Sequence, residues 1–356
     1  MVKKELLDRS FWEGKSVLIT GHTGFKGSWL TIWLEMLGAK VCGVSLKPLE
    51  TTSLFESANI STLCESYICD IRDINKLANI VQTFNPNIIF HLAAQPLVRE
   101  SYKDPINTFS TNVMGTVNLL EVAKTLPRLN SLVVITTDKV YKNKEWIYPY
   151  RENDELGGFD PYSASKAASE IAVSSFRDSF FKDKKLSITT ARAGNVIGGG
   201  DWSADRLIPD AIRAWRKNEE LIIRHPSFIR PWQHVLEPLS GYLLLSQLSY
   251  GNNKYNGAYN FGPKTDEFIT VKKLLEIAYE LKLQPNIKYI EDTNYHESRH
   301  LVLESSLANQ TLGYKPRWTI RQSIKRTIDW YQKFYSDQNT LKICLDNISE
   351  FMSRNE

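Results

Sequence analysis

The stretch Lys15-Ser-Val-Leu-Ile-Thr-Gly21-His-Thr-Gly24-Phe-Lys-Gly27-Ser-Trp-Leu30 carries the main architectural signal. Ser16–Thr20 is an apolar run of strand length, and from Ser28 to Leu37 apolar residues recur at helical spacing until Gly38 ends the pattern. Between them stands a G-x-x-G-x-x-G turn. A strand, a glycine turn and a helix in that order suit a dinucleotide. Its pyrophosphate sits at a helix N-terminus, where open N–H groups and the dipole favour negative charge. The glycines allow a tight turn and a close backbone approach to the phosphates. Gly21, Thr23, Gly24, Phe25, Lys26 and Gly27 are therefore candidate cofactor contacts. A glycine turn that binds nothing can carry the same letters, so the flanking strand and helix decide the assignment.

Outward from this turn the alternation continues. Val41–Leu46 reads as a strand, Lys76–Thr83 as a helix and Ile88–Leu92 as a strand. Asn107–Ala123 reads as one long helix, and Ser131–Thr136 as a strand. Strands and helices in alternation imply an α/β fold, a Rossmann doubly wound parallel sheet. After Arg192 the character changes. Glycines cluster at 198–200, and Pro209, Pro226, Pro231 and Pro238 break the pattern, with helices expected at Val271–Leu281 and Ile320–Phe334. We expect a Rossmann domain over 1–192 with a return segment near 232–262. A smaller mixed C-terminal substrate-binding domain is expected over 193–231 and 263–356.

Composition narrows the function. The chain has 356 residues, 42% hydrophobic and 24% charged, enough for a full core. Its net charge of +4 suits an anionic ligand, but the basic residues are scattered, so no nucleic acid is expected. Cys42, Cys64, Cys69 and Cys344 form no metal or disulfide pattern, which points to no metal and to a reducing cytoplasm. The N-terminal MVKKELLDRSFW has no apolar signal region and no run reaches membrane length, so neither export nor a membrane is expected.

Two further stretches carry chemistry. In Asp160-Pro-Tyr162-Ser-Ala-Ser-Lys166, Asp160 and Pro161 suit a helix start, which places Tyr162 and Lys166 on one face. A free tyrosine, with a pKa of about 10, is a poor base at neutral pH. A neighbouring ammonium lowers that value, so the pair can take a proton from an alcohol during hydride transfer. A plain surface helix is the alternative. In Thr136-Thr-Asp-Lys-Val-Tyr141 the turn follows a strand, where doubly wound sheets place their ligands. Thr137 can bond a reacting hydroxyl there, and Asp138 and Lys139 are adjacent titratable groups, unless the turn is merely solvated. Asp70, with Ile71, follows Tyr67–Cys69 and can accept from an adenine amino group, or belong to a solvated turn. No acid closes the second strand, where Ser45, Leu46 and Lys47 stand. An acid there normally meets the ribose of NAD, and Lys47 leaves a 2′-phosphate open.

These blocks, with His91-Leu-Ala-Ala-Gln-Pro-Leu-Val-Arg99, Ala193-Gly-Asn-Val-Ile-Gly-Gly-Gly-Asp-Trp202 and Ile229-Arg-Pro-Trp-Gln-His-Val235, resemble the extended short-chain dehydrogenase/reductase family. Within it the chain is similar to the sugar-nucleotide 4,6-dehydratases, most of all the CDP-glucose branch, over about Phe11 to Trp330. Lys139 stands where the wider group has glutamate. Glu304–Ala308 departs from a usual Ser-Lys-Ala stretch. The resemblance implies a tightly held NAD, with Leu92, Ala93 and Ala94 beside it. It implies substrate contacts from Gln95, Asn195, Arg206, Arg230 and His234, with Asn195 and Arg230 on the diphosphate. His234 is equally a buried structural histidine, and Trp202 and Trp232 are equally core. By the same resemblance, Tyr162, aided by Lys166 and Thr137, takes the proton of the sugar 4-hydroxyl as hydride leaves C4. Lys139 then removes the C5 proton, Asp138 protonates the departing 6-hydroxyl, and hydride returns to C6. A 4-epimerase needs no such extra pair. The resemblance further implies a homodimer pairing through helices near Asn107–Ala123 and Pro161–Phe181, or a tetramer, and a place in dideoxyhexose, O-antigen and lipopolysaccharide biosynthesis. A dehydratase or epimerase of another nucleotide sugar is the first alternative. A non-catalytic sugar-nucleotide-binding regulator is the second, and the intact Thr137, Asp138, Lys139, Tyr162 and Lys166 argue against it.

Overall fold

The computed structural model describes residues 7–48, 52–290 and 298–353. The first six residues, read above for an export signal, lie outside the described residues. Seven strands form the central sheet: β1 (Ser16–Thr20), β2 (Lys40–Ser45), β3 (Glu65–Ile68), β4 (Ile88–His91), β5 (Ser131–Ile135), β6 (Ser187–Ala193) and β7 (Gly257–Phe261). Their order is β3-β2-β1-β4-β5-β6-β7, and every pairing is parallel. The strand residues explain this. Val17 and Ile19 enter one apolar core and Leu18 the other, so both faces of the sheet are covered.

The first core holds Trp29, Leu30 and Trp33 from helix Phe25–Met36, Leu239 and Leu243 from helix Leu236–Ser249, and Ile348 and Phe351 from helix Thr340–Ser353. The second holds Leu77 and Val81 from Ile74–Phe84, Leu119 and Leu120 from Gly115–Ala123, and Val173 from Pro161–Phe180. Strand order reverses between β1 and β4, which opens the crevice at their carboxyl ends. Among the described residues no helix is long and apolar enough to cross a membrane.

The long helix expected at Asn107–Ala123 is interrupted. Helix Pro105–Phe109 passes into a π-helical turn, Ser110–Met114, before Gly115–Ala123. Asn112 lies in the turn and points inward. Its Oδ1 accepts from the Gln95 N–H (2.8 Å), and its Nδ2 donates to Ser165 Oγ (2.8 Å). Gly115 then packs on Ile71, where an added Cβ would stand 2.3 Å from Ile71 Cδ1. Wide turns of this kind interrupt a helix to aim a side chain. Helix Leu236–Ser249 carries no sequence signal because it is buried almost all round, so no polar stripe marks it.

The smaller part consists of short ladders and helices. Val196–Ile197 pairs with Gln233–His234, Ile229–Arg230 with Ile269–Thr270, and Glu220–Ile223 with Asn286–Tyr289. The expected helices are present as Val271–Glu280 and Ile320–Tyr335. The first ladder follows directly from β6, so it leads the 194–202 loop back over the carboxyl end of the sheet.

Candidate active site

The cofactor end is shaped by backbone. Gly21 has φ +81°, and a Cβ on it would lie 2.8 Å from the Ala93 nitrogen. A Cβ on Gly27 would lie 2.1 Å from the Gly21 oxygen. Gly24 is the N-cap of Phe25–Met36 and brings no side chain to the helix's first N–H groups. This cradle, which any Cβ would fill, fits a pyrophosphate. The Phe25 ring extends toward Gly198. Thr23 is buried, donates to the Leu46 carbonyl (2.9 Å) and accepts from the Ser45 hydroxyl (2.8 Å). That ties the loop to the end of β2, where Ser45 stands instead of an acid. Buried His22 packs on Gly43, bonds Ser66 Oγ through Nε2 (2.7 Å) and is pushed down to about 4 by burial.

Across the crevice, Thr20 Oγ1 meets His91 Nδ1 (2.6 Å) and accepts from the Ala93 N–H (3.2 Å), and His91 Nε2 meets Thr116 Oγ1 (3.0 Å). Burial and the Lys166 charge push His91 down to about 3. This neutral chain fixes the backbone of Leu92, Ala93 and Ala94 beside the glycine loop. Gln95 shapes its own turn instead of reaching outward: Nε2 donates to the Leu97 carbonyl and Thr108 Oγ1, and Oε1 accepts from the Leu97 N–H. At the end of β3 the Asp70 carboxylate is taken up by Arg72 (2.6 Å), whose charge and hydrogen bonds hold it below the usual carboxylate value. The Ile71 side chain is buried under Gly115.

At the catalytic end Asp160 caps helix Pro161–Phe180 through the Ser163 N–H (2.9 Å). The helix start sets Tyr162 against the strand end, where its hydroxyl hydrogen-bonds Thr137. Thr137 in turn donates to Asp138 Oδ1 (3.0 Å). The Asp138 carboxyl is buried, and its Oδ2 has no hydrogen-bond partner among the described residues. Burial raises its pKa, opposed by Lys139, Thr137, Arg230 and Lys26. A buried carboxyl held above its ordinary value is suited to donate a proton. Lys139 is half-buried on the turn Asp138–Val140, its N–H 3.4 Å from Thr137 Oγ1.

One expectation is corrected here. Tyr162 does not stand below its ordinary value: burial pushes it up to about 12, with Thr137 and Arg206 opposing. The Lys166 ammonium donates to the Ile135 carbonyl (2.8 Å), and burial pushes it down to about 8, with Glu170 opposing. At both groups desolvation is the largest influence. Lys26 joins the two ends. It is half-buried, pushed down to about 8 by burial, and feels Arg206, Asp138, Lys166 and Asp201.

Asn195 lies between β6 and Val196–Ile197, next to Gly194, where an added Cβ would stand 2.3 Å from Pro231 Cγ and 3.2 Å from Asp138 Oδ2. Arg206, at the start of helix Leu207–Lys217, donates to Asp201 Oδ2 (2.9 Å) and is held above its usual value by that charge. Arg230 is buried over the Phe228 ring, donates to the Ile229 carbonyl (2.9 Å) and acts electrostatically on Asp138. His234 is instead a core residue. It is buried between Trp29 and Trp318, and burial pushes it down to about 3. Trp202 packs on Tyr331 and Phe334, and Trp232 is buried.

Sequence reading missed Asn112, Glu170 and Arg192. The carboxylate of Glu170 accepts from Arg192 Nε (2.9 Å), Thr136 Oγ1 (2.6 Å) and Thr190 Oγ1 (2.7 Å). Its spacing was readable, since Tyr162, Lys166 and Glu170 recur every four residues on one helical face. Nothing in the sequence marks Arg192 as its partner.

The sequence profile of the GDP-mannose 4,6 dehydratase family matches residues 18–327. The chain is 46% identical over 355 residues to the CDP-glucose 4,6-dehydratase of Salmonella typhimurium, covering 98% of this chain and 99% of that protein. It is 30% identical to the dTDP-glucose 4,6-dehydratase of Haemophilus influenzae, covering 89% of this chain and 97% of that one. Among solved structures, MoeE5 in complex with UDP-glucose and NAD superposes with a TM-score of 0.77 at 25% identity, covering 90% of this chain and 99% of that one.

Proposed function

The chain belongs to the GDP-mannose 4,6-dehydratase family of extended short-chain dehydrogenase/reductases, and from that premise we propose that it dehydrates CDP-glucose to CDP-4-keto-6-deoxyglucose with NAD as cofactor. It is thus a hydro-lyase. The observation that carries the dehydratase reading over epimerisation is the buried Asp138 carboxyl, hydrogen-bonded to Thr137 beside Tyr162, with one oxygen left for a ligand.

The Gly21–Gly27 loop, with Thr23, Phe25 and Lys26, would hold the pyrophosphate of NAD. Leu92, Ala93 and Ala94 would line its path, Tyr162 and Lys166 its nicotinamide end, and Asp70 and Ile71 its adenine side. When bound, NAD takes up the C4 hydride and returns it to C6. Tyr162, bonded to Thr137, takes the proton of the 4-hydroxyl, and Lys166 supplies positive charge behind it. The resulting 4-ketone acidifies C5. Lys139 removes that proton, and Asp138 gives its own to the departing 6-hydroxyl, so that water leaves; as hydride returns to C6, the Lys139 ammonium gives the proton back to C5. Each positioned proton transfer is worth roughly 10²–10⁴-fold in rate. Arg230 and Asn195 would hold the diphosphate and Arg206 the adjoining part of the substrate. Arginine suits this because its planar fork meets phosphate oxygens in pairs.

The cofactor part would comprise 1–192 and the return segment 232–262, whose β7 completes the sheet. The substrate part would comprise 193–231 and 263–356. A homodimer accounts for the exposed apolar side chains Phe109, Met114, Ile171 and Phe180 on the helices expected to pair. The four free thiols suit a reducing cytoplasm. Mass spectrometry of products from CDP-, dTDP-, GDP- and UDP-sugars tests the assignment. Loss of one water from CDP-glucose, without net reduced cofactor, is expected. UDP-galactose formed from UDP-glucose would overturn it.

A further inference from the structure

The turn carrying Thr137, Asp138 and Lys139 is bracketed by Thr136 and Tyr141, and both are anchored to one buried ion pair. Thr136 Oγ1 donates to Glu170 Oε1 (2.6 Å). Arg192 Nη1 donates to the Tyr141 hydroxyl (2.9 Å), which donates on to Asn260 Oδ1 (2.7 Å). Glu170 and Arg192 join through two bonds, Nε to Oε1 (2.9 Å) and Nη2 to Oε2 (3.0 Å), and both side chains are 4% exposed. Thr190 on β6 adds a fourth bond to the same carboxylate. The pair therefore ties together β5, β6 and the segment beyond the turn. Glu170 stands one helical turn past Lys166, which stands one turn past Tyr162.

We propose that Glu170 is a positioning residue for the oxidation step, locking the helix that carries Tyr162 and Lys166 to the strand-end turn that carries Thr137 and Asp138. The inference rests on the catalytic roles proposed above. The geometry is over-determined for a surface contact: one carboxylate takes four hydrogen bonds from two neighbouring strands. Burial pushes Glu170 up, but Arg192 and the two hydroxyls outweigh it and hold it below the usual carboxylate range. Its charge, one helical turn from the Lys166 ammonium, in turn favours the cationic form of that lysine. Buried pairs are poor sources of net stability compared with apolar packing. A bidentate, fully bonded pair does set geometry, and misplacement of reacting groups by about 1 Å can cost about 100-fold in rate.

Glu170→Gln keeps the shape, removes the charge and disturbs the bidentate geometry. Reduction of bound NAD on adding CDP-glucose should slow by roughly 10- to 100-fold, while the KM for CDP-glucose stays within about twofold of wild type, since every group that meets the substrate is retained. The alkaline limb of that rate should move to lower pH as Lys166 loses its anionic neighbour. Lys26 and His91 also feel the Lys166 charge, but Glu170 is a main influence on Lys166 and not on either of them, so a moved limb reports Lys166. Glu170→Met with Arg192→Met guards against a folding defect. The apolar pair should keep the thermal transition and still lose the oxidation step. Wild-type kcat and an unmoved pH limb in Glu170→Gln, or wild-type kcat in the folded double variant, would overturn the proposal. If wild type itself shows no reduction with CDP-glucose, the substrate reading has failed. The same comparison is then run on whichever CDP-, dTDP-, GDP- or UDP-sugar does reduce the cofactor.

Discussion

At Gly21–Gly27 the cleft is shaped by side chains that are missing, whereas at Thr136–Tyr141 it is shaped by side chains that are buried. The first region is local. Three glycines within seven residues let the chain fold against itself and against Ala93, and the helix start supplies the rest. The second region is assembled from β5, β6, the helix from Pro161 and the return strand β7, which brings Asn260. Steric tolerance and chemical tolerance should differ accordingly. The glycine cradle should reject any added carbon yet need no particular charge. The catalytic end should accept isosteric change in size but not the loss of a proton or a charge.

The largest effect should come from the catalytic end. Tyr162→Phe removes only a hydroxyl, yet should slow reduction of bound NAD by roughly 10²–10⁴-fold, followed by stopped-flow absorbance with cofactor content unchanged. Lys139→Met should separate the two half-reactions. Cofactor reduction should persist, while deoxy product and deuterium exchange at C5 in heavy water fall away. Failure of Lys139→Met at the reduction step itself would give Lys139 an electrostatic role in place of the base.

Arg230→Ala should act on binding. Taking a cationic partner away from a diphosphate in a desolvated site should cost on the order of 2–5 kcal/mol. Titration calorimetry with CDP-glucose checks this, and unchanged affinity would place Arg230 away from the diphosphate. Gly27→Ala should act on the cradle alone. Its new methyl meets the Gly21 carbonyl, and overpacking of this kind costs about 1–3 kcal/mol. The loss should appear as released NAD and a lower Tm, with the substrate-binding groups intact.

The smallest effect belongs to a site remote from both ends. Glu237 accepts from the backbone N–H groups of Trp318 (2.7 Å) and Arg317 (3.1 Å), and burial pushes it up to about 7 from 4.5. A carboxyl raised in the folded chain contributes stability that is present below its unfolded value and lost as pH rises through its folded one. Tm should therefore fall between about pH 4.5 and about 7. Glu237→Gln should flatten that slope by a few °C.

Much of the candidate site was readable because its spacing is short. The Gly21–Gly27 turn, the Tyr162/Lys166 pair and the strand-end Thr137-Asp138-Lys139 are each contained within a few residues, so helical and strand geometry alone aligns them. The reading was incomplete where packing supplies a side chain's partners. Gln95 reads as a substrate contact, but Leu97 and Thr108 occupy its amide. His234 sits inside a block that reads as a binding motif, but Trp318 and Trp29 enclose it. The single helix expected at Asn107–Ala123 opens into a π turn because Asn112 bonds Gln95 and Ser165, neither of them its neighbour in the chain.

The sequence by itself determined the parallel α/β architecture, the glycine cradle and the short-range spacing of the candidate reacting groups. Periodicity and helix-start chemistry act over a few residues and need no tertiary context. Only the tertiary structure decided how those groups are tuned. Burial raises Tyr162 and Asp138 and lowers Lys166 and Lys26. The Glu170–Arg192 pair links residues 22 apart in the chain. Desolvation depends on everything packed around a group, and a through-space ion pair depends on where two distant segments meet; neither quantity exists until the chain has folded.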